Sequence, residues 1–88
     1  MMFFVVYSVA TPAGRVRGGG TERVEAPDAR AAVETVVAQM GDETARLGIP
    51  RGTVMIGAVS RLDAEGDPVE KFDVAALVEG VEGAAAGG

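Results

Sequence analysis

The sequence predicts an α+β domain of two layers, an antiparallel sheet of about four strands with one main helix packed on one face. Three observations carry this expectation. Residues 28–41 repeat apolar side chains at helical spacing, on one side only. Residues 3–10 and 53–62 are runs rich in aromatic and β-branched residues, the composition of strands. The elements follow as β-β-α-β-β with a marginal helix at the end, an order that short connections turn into an antiparallel sheet.

The helix is the best-bounded element. Ala29, Ala32, Val33, Val36, Val37 and Met40 recur at i, i+3, i+4, i+7, i+8 and i+11, which 3.6 residues per turn gathers into one stripe. Asp28 stands at the N-cap, where its carboxylate can accept from unpaired amides and suits the positive end of the helix dipole. Gly41 is placed to close the other end in a left-handed conformation, and Asp42 to cap one further turn through Gly48.

The first strand, Phe3 to Ala10, is apolar on both sides in its first half, so a central position is expected. Thr11-Pro12-Ala13-Gly14 has turn chemistry. From Val16 to Ala26 the pattern is a strand with a weak apolar face, interrupted at Gly18-Gly19-Gly20 by a bulge or flexible loop, and firmest from Thr21 to Ala26. Ile49-Pro50-Arg51-Gly52 breaks the chain before the second strong strand. On that strand Val54, Ile56, Ala58 and Leu62 share one face and are expected under the helix, with Met55 and Val59 on the other. A polar turn at Asp63 to Pro68 leads to a short edge strand, Val69 to Phe72. Asp73 then caps a short helix carrying Val74, Leu77 and Val78. One domain over residues 1–79 is expected, followed by a loose Gly/Ala-rich tail over 80–88 that buries almost nothing.

Composition narrows the chemistry. With 88 residues, 48% hydrophobic but only 5% aromatic, the core must be built from Val, Ala, Leu, Ile and Met. A core that thin often gains stability from a second copy. Cysteine and histidine are absent, which removes thiolate nucleophiles, disulfides, the commonest metal ligand and the usual neutral-pH base. The longest apolar run, Met1 to Tyr7, is far short of a membrane span and lacks the flanks of a secretory signal, so a cytoplasmic setting is the expectation. The net charge of −5 argues against general attraction to nucleic acid. Charge is unevenly spread: residues 1–24 hold three arginines against one glutamate, and residues 62–88 hold seven acids against one lysine. Arg for Lys and the lack of Asn read as the imprint of a GC-rich bacterial genome.

No catalytic constellation, cofactor site or metal site emerges. Asp63, Glu65 and Asp67 alternate, but Gly66 falls before the third acid, unlike a calcium loop, and a hairpin turn is the better reading. Arg15, Arg17 and Arg23 beside three glycines form a basic hairpin that could grip phosphate, the basis for an accessory RNA-binding alternative. The terminal Gly87-Gly88 resembles the end of the ubiquitin-like sulfur carriers. The resemblance covers those two residues and the opening β-β-α-β order. It implies a β-grasp fold, a C-terminal carboxylate that is adenylated and converted to a thiocarboxylate, and a last strand beside the first. The residues read otherwise before the tail, where Asp73 to Val81 is helical in pattern.

One helix cannot cover both sides of a sheet whose two long strands are apolar on two sides. Either the short C-terminal helix or a second subunit must lie over the remaining face. The expectation is a small, non-enzymatic interaction module, a homodimer through that face. Met55, Val59, Phe3 and Val5, with Arg15 and Arg17 of the hairpin, are its candidate contact residues.

Overall fold

The pairing of the two long apolar strands organises the molecule. The computed structural model describes residues 1–10, 16–46 and 53–87. In chain order the elements are β1 (Met2–Ala10), β2 (Val16–Glu25), α1 (Ala29–Arg46), β3 (Thr53–Leu62), β4 (Pro68–Lys71), α2 (Val74–Val78) and β5 (Ala84–Ala86). The sheet runs β2-β1-β3-β4, all antiparallel, and β5 joins the outer edge of β3 in parallel. The two-layer α+β architecture expected from the sequence is the one observed, with β1 at the centre. The turn at 11–14, the breaker at 49–52 and residues Arg15 and Gly88 lie outside the described residues.

Helix α1 lays its stripe on the sheet. Ala32, Val33 and Val36 are fully buried, Ala29 and Met40 nearly so, and Val37 packs at the margin. They meet Phe3 and Val5 of β1, Val24 of β2, and Val54, Ile56 and Val59 of β3. Asp28 caps the helix: its Oδ1 accepts from the Ala31 amide at 2.8 Å, while its carbonyl accepts from Ala32. Gly41, however, does not end the helix, which continues unbroken to Arg46. Glycine permits the left-handed turn without compelling it. Its cost of about 1 kcal/mol inside a helix is small when the residues beyond it propagate the helix. Arg46 at the last turn suits the negative end.

Strand β3 departs from simple alternation. Val6 pairs with Ala58 and Tyr7 with Ile56, so Gly57 is an extra residue and the strand reverses its facing there. Val54 and Ile56 face α1 as expected, but after the bulge it is Val59, only 2% exposed, that enters the core. Ala58 is exposed, and Leu62 pairs with Met2 on the side away from α1. The expected placement of Ala58, Leu62 and Val59 is thus inverted beyond Gly57.

The glycines of β2 do not interrupt it. Gly18, Gly19 and Gly20 pair with Val9, Ser8 and Tyr7, and the register shift falls at Arg17. A β-carbon on Gly19 would stand 2.5 Å from the Tyr7 carbonyl oxygen, so the close approach of β2 to β1 requires glycine there. Over Gly20 the Tyr7 ring occupies the space a side chain would fill.

The C-terminal segment also corrects the sequence reading. Helix α2 is capped by Asp73, as expected, with the Ala75 amide donating to Oδ1 at 3.2 Å. It packs on the same side of the sheet as α1: Val74, Leu77 and Val78 join the core, alongside Phe72, whose ring lies 6.0 Å from that of Phe3. Gly80 and Gly83, both at positive φ, then reverse the chain into β5. Residues 84–86, expected within a loose tail, pair with Val54, Met55 and Ile56.

Candidate interaction surface

Because both helices lie on one face, the opposite face of the sheet carries no element of this chain among the described residues. Register places its side chains in rows. Met2 stands beside Leu62 and Glu25, Phe4 beside Ser60 and Arg23, Val6 beside Ala58 and Thr21, and Ser8 beside Met55 and Gly19. Met2 and Ala58 are exposed, whereas Phe4, Val6 and Met55 are half-buried. Met2, Phe4, Val6, Met55 and Ala58 therefore form a patch across β1 and β3, with Leu62 and Ser60 of the same face buried, rimmed by Thr21, Arg23, Glu25 and Lys71.

One basic side chain crosses the patch. The Arg23 guanidinium lies 3.4 Å from where a β-carbon on Gly66 would stand, in the turn between β3 and β4. To reach it from β2 the side chain must cross β1, which brings its charge to the acidic turn. That turn is built as a hairpin. The Asp63 carboxylate accepts from the amides of Glu65 at 3.0 Å and Asp67 at 2.9 Å, and the Asp63 amide donates to the Asp67 carbonyl. Among the described residues no group of three acidic side chains is arranged to hold a metal ion.

The sequence-derived contact residues separate sharply. Met55 belongs to the open face, and Phe3, Val5 and Val59 are core residues at 1%, 0% and 2% exposure, unable to touch a partner. For Val59 the signal that misled was strand parity, which the Gly57 bulge reverses halfway along β3; β1 is apolar on both sides, so its pattern does not say which side faces α1. Phe4, Val6 and Ala58 take the places of the three buried residues. Arg17 lies in β2, and Arg23 points to the acidic turn; Arg15 is outside the described residues. Gly87 donates its amide to the Ile56 carbonyl at 2.8 Å. The strand before it lies beside β3, and both neighbours of β1 are antiparallel, so the last-strand-beside-first arrangement implied by the sulfur-carrier resemblance is not the one found.

On the helix side, Tyr7 has its phenol raised above the usual tyrosine range, by burial first and then by the carboxylates of Glu22 and Glu43. No helix among the described residues is long and apolar enough to cross a membrane. Comparison with protein-family models, with curated proteins and with solved structures finds no significant match for this chain.

Proposed function

We propose that this domain is a non-enzymatic protein-interaction module of the cytoplasm that self-associates through the open face of its sheet. The observation that supports the reading is the placement of α2. It packs beside α1 and leaves Met2, Phe4, Val6, Met55 and Ala58 with no helix over them among the described residues. Apolar surface removed from water contributes about 25 cal/mol per Å². A second copy supplies a matching patch without any other gene product, since a two-fold contact sets the same residues against each other. The charged rim, Arg23 and Lys71 against Glu25, gives such a contact opposite charges with which to set its orientation.

Light scattering at micromolar concentration tests this, comparing the parent with Val6→Glu and Met55→Glu. Association that both variants weaken, with circular dichroism unchanged, is the expected result. A parent that stays monomeric, or association indifferent to both substitutions, would remove the open face from the reading.

A further inference from the structure

The outer edge of β3 is covered in two different ways. Over Ser60–Leu62 it is β4, antiparallel, which brings Pro68 and Lys71, residues that keep a strand edge from pairing further. Over Val54–Ile56 the cover among the described residues is β5 alone, three alanines in the parallel arrangement that is slightly less stable per residue. Alanine is a poor strand former, with little side chain to pack on a pleated surface. Ala84 and Ala85 are half-buried and Ala86 is exposed, and α2, which leads into the segment, has no fully buried residue. The Val54 amide donates to the Gly83 carbonyl and the Gly87 amide to the Ile56 carbonyl. Val54 and Ile56 thus turn their backbone groups to β5, while Met55 between them turns its own to Ser8 of β1. The two ladders use alternate residues, so β5 can leave without breaking a bond to β1.

We infer that β5 is a detachable strand, holding an edge that accepts in its place an extended segment of a partner protein, parallel to β3. The seat states what that segment carries. Ala86 is exposed beside Ile56, which is itself at 0% exposure, so a β-branched side chain has room there and suits a strand better than alanine. The next position favours glycine, because a β-carbon on Gly87 would stand 3.3 Å from the Met55 β-carbon and 3.5 Å from the Ile56 carbonyl oxygen. The half-buried places of Ala84 and Ala85 take small residues. The partner segment is therefore uncharged, two small residues followed by a β-branched one and a glycine, and main-chain bonds supply its affinity. It competes with β5, so its apparent affinity is scaled by the fraction of molecules in which β5 is open.

This rests on the reading of the domain as an interaction module but not on self-association, so the two can fail separately. Amide exchange of the full chain reads the edge, since Val54 and Met55 are neighbours bonded to opposite sides of β3. Corrected for sequence, Val54 should exchange at least about tenfold faster than Met55, through local opening of β5. A blocked Gly-Ala-Ala-Ile-Gly peptide at millimolar concentration should slow Val54 and leave Met55 unchanged, whereas Gly-Ala-Ala-Ile-Leu should slow neither. Ala85→Pro disables the competing strand and should tighten binding of the first peptide at least about threefold. Equal exchange of Val54 and Met55, no slowing by the first peptide, or binding that Ala85→Pro fails to tighten would overturn the inference. The first two outcomes are read on the parent, so they decide even where Ala85→Pro unfolds. Val6→Glu should leave the peptide effect intact, and a parent that stays monomeric would remove the open face without touching this edge.

Discussion

The Gly87 amide donates to the Ile56 carbonyl at 2.8 Å, and the Val54 amide donates to the Gly83 carbonyl at the same distance. Between these bonds Ala84 to Ala86 lie in register along β3. On the same edge, past the Gly57 bulge, the Phe72 amide donates to the Val59 carbonyl. Two segments of opposite direction thus divide one strand edge, one on each side of the bulge. Deleting residues 84–88 should lower stability by about 2 kcal/mol, since each net backbone hydrogen bond contributes about 1 kcal/mol and outward groups of β3 would be left open. A urea midpoint unchanged by the deletion would show that this pairing contributes nothing.

Two glycines should respond oppositely to alanine. At Gly19 the new methyl would meet the Tyr7 carbonyl at 2.5 Å and the Ser8 backbone at 3.1 Å, so β1 and β2 must separate. A loss of about 1–3 kcal/mol is expected. At Gly41, inside α1, the new methyl would have nothing beyond its own helix within 4 Å, and the same change should stabilise by up to about 1 kcal/mol. Thermal melts of the two variants would show shifts of opposite sign; shifts of the same sign would contradict the packing at one of these sites.

Val36→Asp should unfold the domain. Val36 is at 0% exposure beneath α1, and an unpaired carboxylate there costs several kcal/mol, a large part of what holds a small domain together. A variant melting like the parent would show that the stripe of α1 is not core.

Alkaline pH should weaken the fold through Tyr7. Its folded pKa is raised by burial, with Glu22 and Glu43 adding to the shift, so the neutral phenol is favoured in the native state. The associated stability is fully present below the unfolded tyrosine value of about 10, and is lost as pH rises through the higher folded value. Urea midpoints from pH 8 upward should fall on that limb for the parent and fall less for Tyr7→Phe. Identical limbs would assign the alkaline loss to other groups.

Much of this architecture was legible in the residues alone. The apolar stripe of α1 and the Asp28 cap depend on spacing and local hydrogen bonding, which neighbouring residues specify. The central place of β1 was expected from its apolar residues on both sides, and it has a neighbour strand on each edge. The Asp73 cap and the acidic turn after β3 are local in the same sense. Composition alone excluded cysteine and histidine chemistry.

What only the tertiary structure decided was facing and cover. A glycine inside a strand run, such as Gly57, can mark a bulge, but whether it does is set by the register that its neighbours in the sheet impose: Gly18 to Gly20 pair regularly and Gly57 does not. That single insertion moved Val59 into the core and Ala58 out of it. Glycine at position 41 permits a helix end without requiring one, and the exposed residues after it carry the helix on to Arg46. Ala84 to Ala86 have no strand propensity to announce β5; they are held by the open edge of β3, a partner thirty residues away in the chain. Local physics specifies which residues can lie on a common face, whereas the docking of distant segments decides which face is covered.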